Sequence, residues 1–357
     1  MFIQFLLTLL LCILNRIPMA TSIRKNWILP LSFIAIGLFM GLRYDYGLDY
    51  WNYYDEFYNY SGYRKHEILF WLFFFSFKQY YWYILVKSLL LAVLLFYITR
   101  KYVPEKYYAL FIFFYMINGS LIFTQITAER TCLGAMILWM GLEFFYFRKK
   151  NILLLLGSIF LAGLCHTIIF AMLLIPILDR VCIKSQSFIM FFLIITLLFG
   201  MTITPLIFGN ITAKIDYVNY LDHYQESRFG LANIIGTIYK GLLLIPVYFI
   251  LKPLRQYSKD TLYYKLLILS ICYIFLYFSG IETDGRFGSI LLIFFVILIL
   301  QRMDGLKSAG KRIVLLIPFL FLTVFGTYNI YQRMVSDPLL PGNYLVYQTI
   351  FDAPSLP

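Results

Sequence analysis

Five places in this chain set chemically capable side chains among long runs of Leu, Ile and Phe. Arg43 and Asp49 open a tyrosine-rich stretch, GLRYDYGLDYWNYYDEFYNYSGY, over residues 41–63. Glu67 stands immediately before ILFWLFFF, and Glu129 and Arg130 lie inside TQITAERTCLGAMILW. His166 interrupts LLLLGSIFLAGLCHTIIFAMLLIP, and Arg286 begins RFGSILLIFFVILIL. Arginine grips phosphate oxygens with paired hydrogen bonds of fixed geometry, so Arg43, Arg130 and Arg286 are candidate ligands for an anionic substrate. Histidine is the side chain most easily poised as a base near neutral pH. His166, with Asp49 or Glu67 orienting it or replacing it as the base, is therefore the candidate proton acceptor. Tyr50 and Tyr53 belong to a set of eight tyrosines mixed with Asp49, Asn52, Asp55 and Glu56, a combination suited to stacking on sugar rings and bonding their hydroxyls.

Each of these residues also has a purely structural reading. Arg43 can close a local salt bridge with Asp45 or Asp49, and Glu67 can act as a charge at a helix N-terminus. Arg130 can pair with Glu129 or another carboxylate, His166 can bond a carbonyl, and Arg286 can sit in a solvated turn beside Glu282 and Asp284. The tyrosines can form an interfacial aromatic belt, and YVNYLDHYQE over 217–226 repeats their flavour.

The elements that must position these groups follow from composition. Of 357 residues, 61% are hydrophobic and 13% charged, too oily for one water-soluble core. The pattern predicts an all-α, polytopic membrane helix bundle in one domain, 1–357, with about twelve crossings. They fall at 1–15, 26–42, 80–99, 107–124, 130–147, 151–165, 167–179, 187–208, 233–251, 262–279, 287–301 and 313–329. The segment 67–78 reads as a further interfacial or re-entrant piece. The first run is read as an uncleaved helix, because MFIQ carries no positive charge while Arg16, Arg24 and Lys25 follow it.

A formal charge of +12 is in the range of nucleic-acid-binding proteins, but the bases are spread through short loops between apolar runs, so no nucleic-acid partner is expected. Placing 16–25 in the cytoplasm brings Arg100, Lys101, Lys106, Arg148, Lys149, Lys150, Arg180 and Lys184 to the same side. Lys252, Arg255, Lys259, Arg302, Lys307, Lys311 and Arg312 follow them there. Most acids gather on the opposite face. Both termini, a tyrosine-rich outer loop over 43–66, a second outer loop over 209–232 and a tail over 330–357 are thus expected outside, and the charged set falls at the outer face. Membrane lipids are expected around the bundle.

No P-loop, GxSxG, HExxH or GxGxxG motif is present, and the cysteines lack CxxC spacing, so neither a cofactor nor a metal is expected. A donor already activated and already in the membrane would need neither.

The order of the sparse polar residues is itself informative. An N-terminal helix pair leads to R-x5-D-Y-x2-Y (Arg43, Asp49, Tyr50, Tyr53), then Glu67 before an apolar stretch and Arg130 at the start of a small-residue helix. A basic loop (Lys149, Lys150), a helix pair broken at His166 and an Arg286-led helix follow. This order resembles the EpsG family of polysaccharide polymerases, related in role to Wzy-type O-antigen and capsule polymerases, over roughly residues 1–300. The resemblance implies an enzyme of the bacterial cytoplasmic (inner) membrane that joins undecaprenyl-pyrophosphate-linked oligosaccharides, both donor and acceptor, by glycosyl transfer at the outer face. It also admits a chain-length regulator protein as a partner. Rival classes are a ligase using the same carrier, a flippase or exporter using buried charges such as Lys87 and Lys240, and a membrane acyltransferase using His166.

Overall fold

The computed structural model describes residues 2–17, 23–47, 49–59, 67–148, 151–180, 185–212, 240–258, 260–279, 286–336 and 348–349. The apolar runs fold as helices, as backbone groups surrounded by hydrocarbon must satisfy one another within a segment. The order is α1 (Phe2–Arg16), a π-helical turn (Arg24–Ile28) leading into α2 (Leu29–Gly41), β1 (Arg43–Tyr44), α3 (Tyr50–Asn59), α4 (Ile68–Phe74) and α5 (Tyr80–Tyr102). Then come a short 3-10 turn, α6 (Tyr108–Ile117), α7 (Gly119–Thr127), α8 (Glu129–Gly141) with a π-helical extension (Leu142–Arg148), and α9 (Ile152–Gly163). A 3-10 segment (Thr167–Leu173) leads into α10 (Leu174–Arg180), followed by α11 (Gln186–Thr212), α12 (Leu244–Leu251), α13 (Leu262–Phe278), α14 (Arg286–Asp304), α15 (Ala309–Ser336) and β2 (Gln348–Thr349).

The all-α class agrees with the sequence reading, since every predicted crossing contains a helix. The bounds coincide closely at α1, α5 and α13, against predicted crossings at 1–15, 80–99 and 262–279. Tyr80–Tyr102 is an unbroken helix long and apolar enough to cross a bilayer unaided. The predicted crossing at 107–124 is bent by 71° where α6 meets α7. Asn118 makes that break: its Oδ1 caps α7 by accepting from the Leu121 N–H (3.2 Å), and its Nδ2 donates to Thr323 Oγ1 (3.2 Å). Phe2–Arg16, Ile152–Gly163 and Leu262–Phe278 are apolar but shorter than the ~20 residues of a full crossing. The tyrosine-rich stretch is also corrected: residues 50–59 form a helix, not a loop. Residues 60–66, most of the second predicted outer loop and most of the tail lie outside the described residues.

The chain divides into two compact units, Met1–Leu173 with Thr323–Pro357, and Leu174–Leu322. In the second, α13 packs along α14, α10 and α11 lie on α13, and α12 lies on α14. In the first, α1 is inside out. Gln4, Thr8 and Asn15 are buried, while Phe2, Phe5, Leu6, Leu9, Leu10 and Ile13 form an exposed apolar stripe at helical spacing. Asn15 Nδ2 donates to Ser32 Oγ on α2 (2.8 Å), and Gln4 Nε2 donates to the Met116 carbonyl on α6. Polar groups joining helices and apolar groups facing outward suit lipid surroundings, where Leu gains nothing from turning inward.

A close crossing sets α2 on α5. A Cβ at Gly37 would lie 2.8 Å from Ala92 Cβ, and one at Gly41 would lie 3.0 Å from the Leu85 Cα. Gly37 and Gly41 are four residues apart and face Ser88 and Ala92, so small residues meet small residues and the backbones approach closely. Arg43 follows two residues after this contact. Gly41→Val is expected to destabilise the protein by about 1–3 kcal/mol through overpacking, read as a lower melting temperature in detergent. Gly157→Ala on α9, where nothing lies within 4 Å of the new methyl group, should leave the melting temperature unchanged or slightly raised.

Candidate functional site

The α7–α8 junction organises the first unit. Ala128 has φ −90° and ψ 76°, outside the helical range, so the helix stops and restarts within one residue. A helix that stops leaves its last carbonyls without partners and its C-terminal end partially negative. Two cations fill that role. Arg43 Nη2 donates to the Ile126 carbonyl (2.6 Å), and Lys87 Nζ donates to the Gln125 carbonyl (3.3 Å). Glu129, on the first turn of α8, receives Arg43 on one carboxylate oxygen and Lys87 on the other. Tyr83 Oη donates to Glu129 at 3.3 Å, and Arg43 Nη1 donates to the Met40 carbonyl at 3.1 Å. All three charged side chains are at most 1% exposed. The backbone of Arg43 is fixed as well, through antiparallel pairing of β1 with β2, Arg43 opposite Thr349.

One residue later the chain points elsewhere. Arg130 Nη1 donates to Glu67 Oε2 (2.7 Å), and Arg130 Nε donates to Tyr53 Oη (3.1 Å), with the guanidinium over the Tyr53 ring. The second oxygen of Glu67, Oε1, lies 2.7 Å from His166 Nδ1. One carboxylate therefore joins a guanidinium and an imidazole supplied by distant segments. Arg130 is the least buried of the three, its side chain 16% exposed against 4% for Glu67 and 6% for His166.

Packing makes this meeting possible. A Cβ at Gly134, one turn beyond Arg130 on α8, would fall 2.1 Å from Ile169 and 3.0 Å from the Ala162 carbonyl, so only glycine lets α9 and the following 3-10 segment come this close. His166 sits between those two elements. The Leu69 N–H donates to the Leu164 carbonyl (3.2 Å), tying α4, and Glu67 just before it, to the same junction.

The aromatic residues form the wall. Tyr44, Tyr50 and Tyr53 are buried with Phe70, Trp71, Phe74, Tyr80 and Tyr83 in one cluster. Tyr50 meets Tyr44 and Tyr80 edge to face at 5.9 and 5.4 Å, a favoured geometry for rings. Asp49 lies half-buried at the start of α3 and accepts from Asn52 Nδ2 at 3.4 Å. Arg286 is the first residue of α14 in the second unit, and its side chain lies outside what the structure describes.

Several structural alternatives are settled by these contacts. Arg43 pairs with Glu129, not with Asp45 or Asp49, and Arg130 pairs with Glu67, not with its neighbour Glu129. His166 bonds a carboxylate. Lys87 and Tyr83 are not among the candidate site residues, although a lysine inside an apolar helix is the available signal. Among the described residues no group of three or more His, Cys, Asp or Glu side chains could hold a metal ion.

Electrostatically, Glu67 is held as a carboxylate. Burial raises its pKa, but the His166 hydrogen bond and the Arg130 charge outweigh burial and leave it below the ordinary value of 4.5. Its contribution to stability is therefore complete above pH 4.5 and is lost as pH falls through the depressed folded value. At pH 7 Glu67→Gln should melt below wild type. Below pH 4.5 the wild-type melting temperature should fall more steeply than that of Glu67→Gln, closing the gap.

Glu129→Gln leaves two buried cations without their counter-charge, and a loss of about 3–5 kcal/mol is expected. Removing one cation at the same time, in Lys87→Met/Glu129→Gln, should recover part of that loss. The yield of monodisperse protein and its melting temperature in detergent measure both.

No curated protein and no solved structure matches the chain. The EpsG family matches it over residues 26–349, a range that contains every residue of the Glu129 and Glu67 clusters. The chain belongs to the EpsG family and is a membrane protein of polysaccharide biosynthesis.

Proposed function

We propose that the chain is a polysaccharide polymerase that joins lipid-pyrophosphate-linked repeat units by glycosyl transfer at the outer face of the bacterial cytoplasmic membrane, with undecaprenyl pyrophosphate as the carrier. The observation that carries this reading is the Glu67 carboxylate shared between Arg130 Nη1 and His166 Nδ1. It supplies an anion-binding cation and an oriented base in one place.

With Nδ1–H donating to Glu67, the basic nitrogen of neutral His166 is Nε2. The acceptor hydroxyl oxygen attacks the anomeric carbon of the donor sugar, and its proton passes to His166 Nε2. The bond between that carbon and the pyrophosphate oxygen breaks with its electron pair leaving on the oxygen. Arg130 stabilises the charge on the departing lipid pyrophosphate, and Glu67 stabilises the imidazolium that forms. Asp49 is the alternative base, and Arg286 is a further candidate for the pyrophosphate. Arg43 has its guanidinium committed to Glu129 and two carbonyls, so here it is a positioning residue that holds the α7–α8 junction. Tyr53 aligns Arg130, and Tyr50 supports the wall behind it. The outward orientation follows the charge asymmetry of the loops.

In a strain lacking the gene, wild type should restore long polymer. Arg130→Ala and His166→Ala proteins, present in the membrane at normal levels, should leave single repeat units, with rates down by about 10²–10⁴-fold for loss of a general base. Full-length polymer from either variant would remove that residue from the site. Long chains stranded on the carrier in the deletion strain would instead assign the protein as a ligase.

A further inference from the structure

At the far end of α5 lies a second charged constellation, independent of the polymerase reading. Tyr83 and Lys87 reach Glu129 near the start of this helix, whereas Arg100 and Lys101 stand in its last turn. The seventeen residues from Tyr83 to Arg100 span ~25 Å along the axis at ~1.5 Å per residue. A cleft of about 270 Å³ opens there, lined by Lys25, Tyr97, Arg100 and Lys101.

Its charge is unbalanced. Glu143 is a buried carboxylate that accepts from Lys101, from Arg148 Nε (2.7 Å) and from Tyr97 Oη (3.0 Å), and it also bonds Tyr102. Glu143 and Glu105, the latter in the short 3-10 turn just past α5, stand against five bases: Lys25, Arg100, Lys101, Lys106 and Arg148. Arg100 spends one nitrogen on a neutral partner, Asn26 Oδ1 (3.2 Å). Among the described residues no ion pair involves Lys25 or Arg100.

Two backbone distortions converge on the same place. Lys25 lies in the π-helical turn before α2, while Glu143 and Arg148 lie in the π-helical extension of α8. Such turns are rare overall and are frequent at functional sites. Trp27, 66% exposed, stands two residues from Lys25, as indoles do at the headgroup level of a bilayer. A loop of topology-setting bases needs no concavity. Here bases from two helices, with a phenol between them, line one.

We propose that this cleft binds a phosphate-bearing anion, supplied by an anionic phospholipid headgroup or by free phosphate, with Lys25 and Arg100 as its principal ligands. Lys101 is shared with Glu143 and closes the rim. Basic pockets between membrane helices recognise phosphate-bearing headgroups in this manner.

The test uses the full chain in nanodiscs of phosphatidylcholine and phosphatidylglycerol in equal amounts, then released for native mass spectrometry. Wild type should retain phosphatidylglycerol in preference to phosphatidylcholine. Lys25→Gln/Arg100→Gln should lose that preference by about fivefold for each charge removed, and the charge-preserving Lys25→Arg/Arg100→Lys should keep it. Should the double glutamine variant not fold, Lys25→Gln alone serves the same comparison.

A second arm adds millimolar inorganic phosphate to the detergent-purified protein. A melting temperature raised in wild type and not in Lys25→Gln, without selective lipid retention, assigns the site to free phosphate. Selective retention that phosphate does not displace assigns it to the lipid. Equal lipid retention in wild type and the glutamine variants, together with no phosphate-dependent shift, overturns the proposal.

Discussion

The structure of the first unit depends on satisfying one carboxylate where water does not reach. Arg43 and Lys87 take the two oxygens of Glu129, and Tyr83 adds a hydrogen bond. The cations would in turn be costly without it, and the open carbonyls of Gln125 and Ile126 absorb the excess positive charge. Each component answers the need of another. A continuous helix would have no carbonyls to offer, and without the cations the break at Ala128 would leave polar backbone buried and unsatisfied.

From that fixed point the other positions follow. Arg43 reaches Glu129 because α2 crosses α5 at glycine contact distance, which also sets Lys87 opposite the same carboxylate. The restart of α8 turns Arg130 toward Glu67, while Gly134 draws in the α9 junction that carries His166. The residues that meet in the Glu67 cluster thus come from α3, the start of α4, α8 and the end of α9. None is a sequence neighbour of another, and their convergence is a product of helix packing.

Much of this was legible in the sequence, for a physical reason: in a chain this apolar, an ionisable residue beside a long hydrophobic run stands out. Glu67, Arg130 and His166 were singled out on that ground, and the fold brings them into hydrogen-bond contact. Partner choice was not legible. Glu129 and Arg130 look like a natural pair along the chain, yet on a helix they diverge, and only the three-dimensional course of α2 and α5 shows that Arg43 and Lys87 claim the glutamate. The breaks were hidden too. No proline marks residue 118 or 128, and the local cue at the first break is the Asn118-Gly119 dipeptide, a turn and capping signal. The helix at 50–59 escaped notice because its polar and aromatic mixture reads as a loop until Tyr50 and Tyr53 are seen buried against α4 and α5.

The adjacency of Glu129 and Arg130 has a consequence for how such a protein can diversify. Successive side chains at a helix start are turned by about 100°, so the two clusters are geared together like teeth on one wheel. A change that rotates or lengthens this turn to re-aim Arg130 also drags Glu129 away from Arg43 and Lys87. Descendants of this chain that come to handle different molecules are therefore expected to vary α3, α4 and the segment around residue 166, leaving the first turn of α8 as a part that selection cannot adjust piecemeal.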